Sequence, residues 1–472
     1  MQGVFEKILI FPPYFNLLLT FGEFCGIIIT YVKIQPNHER VSEMKRTFIA
    51  DVKAGEKVKI AGFVENCRNK KARAFLVIRD ITGKVQVYVE KEGNEELAAI
   101  VDQLTIDSVV TIEGECIANE YVKMGGKEII PTSIRIESIA DALPIKEDSA
   151  IDSRLDYRWV DLRTERNTLI FHVQSEITAA LRDYLLANKF TELHFPKIIG
   201  AASESGSEVF KLNYFDRDAY LAQSPQFYKQ MAMASGLERV FECAPCFRAE
   251  KSHTNKHATE FTSFDLEFSY VESFHDVMAL EEEMLTYVLG RVKEKYGEDI
   301  ERIFGLEVVV PTNPFPVLSV AEIYRLLEER YGYTCPESEK GDLTTDAERM
   351  THRLVKELYG HEFLFVTDFA QDKRPFYHMR DENGVPQGYD LIWRGVEITS
   401  GAQREHRYDH LCRNAAEKGL GEDVKFYTEF FRYGCPPHGG FAIGIDRLTM
   451  LFLGIPIKEA MFLFRGPDRL HP

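Results

Sequence analysis

The sequence is short of positive charge. Lys and Arg together number 57 against 74 Asp and Glu, so the formal net charge is −17 over 472 residues. This balance argues against a protein that coats nucleic acid with its whole surface, because such binding draws on an excess of cationic side chains. Any contact with RNA must come from local basic patches on an acidic body.

The cysteines are scattered along the sequence, and their spacing gives little indication of a metal-binding site. Of eight cysteines, only Cys243 and Cys246 form a C-x-x-C, and no second pair follows. A structural zinc site needs four ligands, so this spacing argues against one. The pair lies in an apolar segment, where small buried thiols are expected. The cysteine usage is typical of a reducing compartment, and we expect a cytoplasmic protein.

The first 43 residues lack the marks of a targeting segment. Residues 14–32 are about long enough to span a bilayer, but they contain Glu23 and have no cluster of basic residues at either end. The order of regions found in a signal peptide is also missing. A membrane anchor stays open as an alternative. We favour an extension outside the working protein, such as upstream translation, with a more ordinary start at Met44 and no membrane partner.

Residues 47–139 predict a small barrel. They read as four or five short strands separated by basic or Gly-containing turns, and Asp80 to Gly83 has the composition of a hairpin turn. This density of strands favours an OB-fold. Its first half is basic, and the basic loop leads into Phe75, which we expect to be exposed. Charge for phosphates beside a ring for base stacking is typical of single-stranded RNA binding, although a solvated hairpin with a core Phe explains the pattern equally well.

Residues 240–271 predict a hairpin with one polar and one apolar face. They read VFECAPCFRAEKSHTNKHATEFTSFDLEFSYV, with a first strand to Phe247, a polar loop at 251–256 and a return strand. Side chains alternate across a strand. The return strand therefore places Phe261, Asp265 and Glu267 on one face and Phe264, Leu266 and Phe268 on the other. Such a sheet has a binding site on one side and a core behind it.

Two later segments carry further polar groups. Residues 388–403 read GYDLIWRGVEITSGAQ, where Asp390 and Glu397 have opposite parity, so a shared site needs a bulge or a strand change near Arg394. Carboxylates with the hydroxyl of Ser400 suit a hard cation such as Mg²⁺ that bridges phosphates. Residues 434–454 read GCPPHGGFAIGIDRLTMLFLG, a Gly-rich turn into a helix with Arg447 in its first turn, which is typical of an anion site.

These segments together resemble the class II aminoacyl-tRNA synthetases. FRAE…H…EFTSFDLE looks like motif 2 in its aspartyl form, the helix and strand at 169–196 look like motif 1, and GFAIGIDR looks like motif 3. The resemblance covers residues 47–472 and is nearest to aspartyl-tRNA synthetases of the archaeal and eukaryotic type. It implies an α+β protein with an N-terminal OB-fold β-barrel and a catalytic domain built on an antiparallel sheet flanked by helices.

The resemblance also implies a division of the chain and a dimer. We expect an extension at 1–46, an anticodon-binding barrel at 47–140, a hinge at 141–165 and a catalytic domain at 166–472, with a small helical insertion at about 275–375 that also contains a strand at 362–369. Motif 1 forms the homodimer interface in this class. Its helix is predicted from the apolar stripe at Ile170, Val173, Ile177, Leu181 and Leu185.

The reaction implied is activation of L-aspartate by ATP, followed by transfer to tRNA(Asp), with tRNA(Asn) open as a second acceptor. Arg248, Arg447 and Glu397 are the implied catalytic residues. The implied aspartate site comprises Ser203, Glu204, Gln226, Lys229, Arg248, Asp265, Ser400 and Arg404. The implied ATP site comprises Arg248, Ala249, Glu250, Lys256, His257, Ala258, Phe261, Glu397, Gly444, Ile445, Asp446 and Arg447. Magnesium is assigned to Asp390, Glu397 and Ser400.

In the barrel, the resemblance implies that Phe75 stacks on the anticodon and that Gln86 reads its middle base. The acidic residue that often contacts the third base near Ser133 is missing.

Three rivals remain to be weighed. An asparaginyl enzyme shares the architecture, but QSPQFYKQ and SGAQREH fit the aspartyl pattern better. Lys229 and Arg404 aimed at a β-carboxylate would be left unpaired by asparagine, at a cost of about 1–3 kcal/mol or more. A lysyl enzyme would need acids at these two positions. A non-catalytic tRNA-binding relative would be expected to lose Arg248, Arg447 or the carboxylates, all of which are present.

Overall fold

In the computed structural model, residues 44–200, 208–251 and 256–472 are described in full, and three short strands within residues 8–31 are described as backbone. The chain divides into two compact units, Met1–Leu143 and Pro144–Pro472. The predicted extension lies mostly outside the described residues, and so do Ser203 and Glu204.

The first unit is almost entirely strands. They are β1 (Ile8–Ile10), β2 (Asn16–Phe21), β3 (Ile27–Tyr31), β4 (Lys57–Asn69), β5 (Arg73–Asp80), β6 (Gly83–Glu90), β7 (Val109–Ala118) and β8 (Lys127–Ser138). Its described residues also include the α-helix α1 (Glu95–Val101) and a short 3-10 helix (Ile49–Asp51). Strands β1 to β3 form a small antiparallel sheet, and β4 to β8 close a barrel in the order β4-β5-β6-β8-β7. The predicted OB-fold is therefore confirmed.

Alternation along the barrel strands explains its core. On β5, Ala74, Leu76 and Ile78 are completely buried, while Phe75 between them lies on the outer face. The predicted hairpin turn is present, since Asp80 pairs with Gly83. The apolar side chains that point inward thus fill a small closed interior, and the polar ones are left to the outside.

The second unit contains the remaining elements. Its helices are α2 (Ile151–Asp156), α3 (Arg158–Asp161), α4 (Glu165–Ala187), α5 (Gln226–Ala234), α6 (Phe274–Phe304), α7 (Val320–Tyr331), α8 (Thr345–Tyr359), α9 (Tyr408–Glu417), α10 (Lys425–Thr428), α11 (Ile445–Leu453) and α12 (Ile457–Ala460). Its strands are β9 (Thr191–Glu192), β10 (Ile198–Ile199), β11 (Lys211–Tyr214), β12 (Arg217–Leu221), β13 (Arg239–Phe247), β14 (Glu260–Ser269), β15 (Val317–Ser319), β16 (Phe363–Thr367), β17 (Gly388–Trp393), β18 (Val396–Arg404) and β19 (His438–Gly444).

An eight-stranded sheet organises this unit, in the order β15-β16-β17-β18-β19-β14-β13-β9. From β16 to β13 every neighbouring pair is antiparallel. Helices α4 and α6 contribute to the main core behind it, together with Phe241 and Phe264, whose rings stack at 5.4 Å, and with Leu266. One face of the sheet is thus sealed by helices, as expected for an α+β unit with a site on the other face.

Helix α4 follows the predicted apolar stripe. Ile170, Val173, Ile177, Leu181 and Leu185 are all completely buried. The helix begins earlier than the pattern indicated, because the Thr164 side chain caps it by accepting the N–H of Asn167 at 3.2 Å. It ends at Ala187, and Asn188 is its C-cap residue. The strand predicted after it is shorter than expected, since only Thr191–Glu192 pairs, in parallel with β13 at the sheet edge.

The predicted insertion at about 275–375, which connects β14 to β17, is not purely helical. Helices α6, α7 and α8 are present, and α6 continues to Phe304 because Ile300 is still buried in its core-facing stripe. However, β15 and β16 extend the central sheet beyond β17. The segment therefore builds part of the same sheet that carries the polar face. In the described part of the chain, no helix is both long and apolar enough to cross a membrane.

Candidate active site

A cavity of about 360 Å³ opens on the polar face of the sheet. It is lined by residues from α5, β14, β18, β19, α11 and α12, and by the three connecting segments before α5, β14 and β17. Of the residues predicted from sequence, the lining includes Gln226, Lys229, Arg248, Glu250, Lys256, His257, Ala258, Phe261, Asp265, Glu397, Ser400, Arg404, Gly444, Asp446 and Arg447. Ala249, Asp390 and Ile445 lie just outside the lining.

Strands β13 and β14 form the predicted hairpin with its two faces. Cys246 pairs with Phe261 and Glu242 pairs with Asp265, so the two strands are in register along their full length. Phe261 and Asp265 line the cavity, whereas Phe264 is completely buried in the core behind. The prediction of a polar and an apolar face is confirmed, because alternation has no interruption within β14.

Arg248 and Phe261 form one end of the cavity. The N–H of Arg248 donates to the carbonyl of Thr259 at 2.9 Å, which ties the end of β13 to the start of β14. The Arg248 guanidinium lies over the Phe261 ring at 5.4 Å, and its Nη1 is 3.7 Å from Glu250. An aromatic face beside a cation can hold a flat ring that carries an anionic group.

The opposite end of the cavity contains two buried cations. Lys229 and Arg404 are 1% and 3% exposed, and both contact the carboxylate of Glu267. Lys229 Nζ is 3.3 Å from Glu267 Oε2 and 3.3 Å from Asp265 Oδ1, and Arg404 Nε donates to Glu267 Oε1 at 3.0 Å. Burial alone would raise the pKa of Glu267, but attraction to Arg404 and Lys229 outweighs it and lowers that pKa.

A bulge in the β17–β18 hairpin orients the next set of groups. Asp390 pairs with Ser400, but Ile392 pairs with Glu397, because the register shifts between Leu391 and Ile392. The shift moves Glu397 to the same face as Ser400 and Asp390. The chain reverses at Arg394 and Gly395, which both have positive φ. The strand change and the bulge required by the opposite parity are therefore both present.

Arg374 was missed by the sequence analysis, although it lines the cavity. Its guanidinium donates to both oxygens of Asp390, at 2.8 and 2.6 Å, and to Ser400 Oγ at 3.2 Å. It also stacks on Phe369 at 3.5 Å. The carboxylate of Asp390 is thus neutralised by Arg374 rather than presented to the cavity. Arg374 lies in the connection between β16 and β17 and was hard to find by sequence, because only the tertiary fold brings it to Asp390.

Of the two carboxylates on the β17–β18 hairpin, Glu397 is the one that lines the cavity. Its N–H donates to Glu348 at 2.8 Å, and its carbonyl accepts from Arg447 Nη1 at 2.8 Å. Burial, followed by the nearby carboxylate of Asp390, raises the pKa of Glu397 to about 7. A divalent cation would offset both causes, so Glu397 and the hydroxyl of Ser400 fit Mg²⁺.

Glu397 and Ser400 alone do not supply enough ligands for a magnesium ion. Within the described ranges, no group of three or more His, Cys, Asp or Glu side chains is arranged to hold a metal ion. A cation that binds here would therefore draw further oxygen ligands from phosphates or water, as magnesium does at nucleotide sites.

The turn before α11 completes the polar rim. Strand β19 ends at Gly444, and Arg447 lies in the first turn of the helix, as predicted. Asp446 does not offer a free carboxylate, since it accepts from the N–H of Thr262 at 2.8 Å and from Gln174 at 3.1 Å. Nearby, burial and the charge of Arg447 lower the pKa of His257. The N-terminus of α11 and the side chain of Arg447 together can bind a polyanion.

The barrel of the first unit places its two predicted RNA contacts on the outer surface. Phe75 is partly buried rather than fully exposed, because it packs against Tyr88 at 5.4 Å and lies 5.5 Å from the Arg68 guanidinium. The amide of Gln86 donates to the buried Glu128 at 2.7 Å, which also accepts from Asn119. Gln86 is therefore held in one orientation by an acceptor that sequence reasoning did not single out.

Comparison with known proteins places both units. The tRNA synthetases class II (D, K and N) family matches residues 150–464, and the OB-fold nucleic acid binding domain family matches residues 58–137. The aspartate--tRNA(Asp/Asn) ligase of Methanopyrus kandleri is 41% identical over 440 residues, which cover 91% of this chain and 100% of that protein. The aspartate--tRNA(Asp) ligase of Pyrococcus abyssi is 39% identical over 428 residues, covering 89% of this chain and 97% of that protein.

Solved structures agree with this placement. The asparaginyl-tRNA synthetase from Pyrococcus horikoshii complexed with asparaginyl-adenylate superposes with a TM-score of 0.83 at 33% identity, covering 91% of this chain and 100% of that one. The aspartyl-tRNA synthetase from Entamoeba histolytica superposes with a TM-score of 0.79 at 31% identity, covering 93% and 96%. With the barrel, the antiparallel sheet and the three motifs in order, the chain belongs to the class II aminoacyl-tRNA synthetases of the D, K and N group.

Proposed function

We propose that this protein is an aspartate–tRNA ligase, which activates L-aspartate with ATP and transfers it to the 3′ end of tRNA(Asp). The observation that carries this proposal is the pair of buried cations at one end of the cavity. Lys229 and Arg404 lie on either side of one carboxylate, where a second carboxylate from a substrate finds two positive partners. The names of the relatives from M. kandleri and P. abyssi agree with aspartate as the amino acid.

The first step joins aspartate to the nucleotide. An oxygen of the aspartate α-carboxylate attacks the α-phosphorus of ATP, and the bond to the bridging oxygen breaks to release pyrophosphate. No general base is needed, because the attacking carboxylate is already ionised. Arg248 would contact the α-carboxylate and the α-phosphate, Phe261 would stack on adenine, and Arg447 would meet the distal phosphates. Catalysis of this kind relies on positioning and charge neutralisation.

Glu397 and Ser400 would hold the magnesium ion. Asp390 would not contact it directly, because its carboxylate pairs with Arg374, which also donates to Ser400 Oγ. When bound, the ion would neutralise charge on the phosphates and favour the ionised form of Glu397. His257, whose pKa is lowered by burial, would reach the phosphates as a neutral hydrogen-bond partner.

The second step transfers the amino acid. A hydroxyl of the terminal ribose attacks the carbonyl carbon of the adenylate, an ester bond forms, and AMP leaves with the bonding electrons. The barrel would hold the anticodon through Phe75 and Gln86, and tRNA(Asn) stays open as a second acceptor because relatives carry both kinds of name. We place the reaction in the cytoplasm.

A homodimer through α4 and β9 is part of the proposal. The outer side of α4 carries a groove lined by Phe171, Gln174, Ser175, Thr178, Ala179, Arg182, Asp183 and Leu186. Apolar and polar groups alternate there, and Leu186 is 54% exposed. A second copy of the helix would cover this surface.

Asparagine is the main rival substrate, since the asparaginyl enzyme from P. horikoshii superposes with a TM-score of 0.83 over 91% of this chain. The two cations oppose this alternative. Glu267 and Asp265 already pair with these cations, but a neutral amide adds no charge-assisted hydrogen bond to them, whereas a substrate carboxylate does, so the two cations favour the acidic amino acid. A lysyl substrate would place a third cation beside Lys229 and Arg404.

The test is aspartate-dependent exchange of pyrophosphate into ATP. Arg404→Leu should abolish exchange while tRNA binding stays measurable, and Arg404→Lys should retain a small fraction if charge alone is needed. Arg325→Leu is the matched control, because Arg325 lies on the exposed side of α7 in a pair with Glu329. Normal exchange by Arg404→Leu, or asparagine-dependent exchange by the wild type, would refute the proposal. Aminoacylation assays with purified tRNA(Asp) and purified tRNA(Asn) show which of the two the enzyme accepts.

A further inference from the structure

Glu348 lies in the first turn of α8, outside the segments that carry the three motifs. Its Oε1 accepts the N–H of Glu397 at 2.8 Å and Lys256 Nζ at 2.9 Å, and its Oε2 accepts Lys256 Nζ at 3.0 Å. The side chains of Glu348 and Lys256 are only 13% and 23% exposed. One carboxylate thus joins a helix, a strand and the segment before β14.

The contact with Glu397 supports the bulge. A bulge leaves one residue out of the regular ladder of a hairpin. Here Glu397 pairs with Ile392 and Thr399 with Leu391, so Ile398, directly after Glu397, is the residue left out. Glu348 supplies an acceptor for the N–H of Glu397, while Arg447 donates to its carbonyl. The backbone of Glu397 is therefore held from both sides, which keeps its side chain directed to the cavity.

The contact with Lys256 places a cation on the cavity lining. Lys256 directly precedes His257, and both residues line the cavity. An ammonium has three N–H donors. Among the described residues, Lys256 Nζ donates to the two oxygens of Glu348 and to no other group, so one N–H can reach a phosphate oxygen. A partly buried pair restrains the long side chain of Lys256 far more than solvent would.

We propose that Glu348 is a positioning residue of the nucleotide site, which fixes the backbone of Glu397 and holds Lys256 in reach of the ATP phosphates. This inference rests on the proposed function. It gives α8 a part in binding ATP, although this helix lies in the segment between motifs 2 and 3. Removal of the carboxylate should weaken ATP binding and leave the aspartate end of the cavity unchanged, because Lys229 and Arg404 have no contact with Glu348.

The experiment measures pyrophosphate exchange with ATP and aspartate varied separately. For Glu348→Gln we expect the KM for ATP to rise about ten-fold, as for the loss of one coupled pair, and the KM for aspartate to stay within about two-fold. The glutamine keeps an oxygen for the N–H of Glu397. Glu348→Ala removes that acceptor as well, so its kcat should fall further than that of Glu348→Gln.

A double-mutant cycle with Lys256→Gln tests the coupling. If Glu348 acts through Lys256, the double variant should have the same KM for ATP as Lys256→Gln alone. Glu357→Gln is the matched control on the same helix. Glu357 pairs with Arg353 at the exposed surface, so its variant should leave both KM values unchanged.

The outcomes separate the two proposals. An unchanged KM for ATP in Glu348→Gln, or additive effects in the cycle, overturns the role of Glu348 while the wild type stays active. A fall in melting temperature with unchanged KM values reduces Glu348 to a structural residue and also overturns it. If Glu348→Ala does not fold, the KM for ATP of Glu348→Gln still tests the role of Glu348. A wild type without aspartate-dependent exchange overturns the proposed function and this inference together.

Discussion

Arg404 donates from Nε to Oε1 of Glu267 at 3.0 Å, and both side chains are buried, at 3% and 0% exposure. The other oxygen of Glu267 is 3.3 Å from Lys229 Nζ. The carboxylate that belongs to the protein thus keeps two cations close together before any substrate binds. This arrangement explains how a cavity wall can carry two buried positive charges at all, since buried charges need partners.

Glu267→Gln should therefore destabilise the protein. The change leaves Arg404 without its buried anion, and the free energy of unfolding should fall by about 3–5 kcal/mol, the cost of breaking a buried pair. Because the pKa of Glu267 is lowered in the folded state, its contribution is present at neutral pH and is lost as the pH falls through that value. Urea unfolding at pH 7 checks this. Glu357→Gln, in an exposed pair, should change stability by less than about 1 kcal/mol.

Glu397→Gln should raise the free energy of unfolding, whereas Glu267→Gln lowers it. Its folded pKa, about 7, is above the ordinary value of 4.5, so the contribution to stability is complete below pH 4.5 and is lost as the pH rises through 7. Without ligands, Glu397→Gln should exceed the wild type in free energy of unfolding by about 3 kcal/mol at pH 8 and by about 1 kcal/mol at pH 5. Urea unfolding at both pH values measures it, and a difference that does not depend on pH would contradict the raised pKa.

Gly401→Ala should damage the sheet beneath the site. A Cβ at Gly401 would lie 2.4 Å from the Tyr389 ring, and the Tyr389 hydroxyl donates to the buried Glu281 at 2.7 Å. Moving the ring breaks that bond, so we expect a loss of about 2–4 kcal/mol in thermal or urea unfolding. Gly421→Ala is the control, because nothing lies within 4 Å of its added Cβ. Equal effects of the two variants would show that Tyr389 moves without cost.

Phe75→Ala should impair tRNA recognition alone. Base–aromatic stacking is worth about 1–3 kcal/mol, so the KM for tRNA(Asp) should rise about ten-fold or more. Gln86→Ala should act in the same direction, because the amide that Glu128 orients is removed. Pyrophosphate exchange without tRNA serves as the internal control and should not change in either variant. A loss of exchange would mean that the substitution disturbs more than the anticodon contact.

Local patterns predicted much of this fold. The period-two runs of the barrel, the two faces of β14 and the apolar stripe of α4 are all present where the sequence indicates them. Each depends only on which side chains recur on one face of a regular element. The motif residues could also be located, since a strand end or a helix start sets where Arg248 and Arg447 emerge.

The partners of these residues were decided by the tertiary structure. Glu348 and Arg374 lie in a segment without a site motif, and nothing in their neighbours along the chain indicates that they contact Glu397 and Asp390. The bulge that turns Glu397 towards the cavity could be required by parity but not located. The sequence alone thus determined the elements, their buried faces and the group of synthetases to which the chain belongs. Which charges neutralise one another depends on contacts between residues far apart along the chain, and only the packed sheet and helices bring those together.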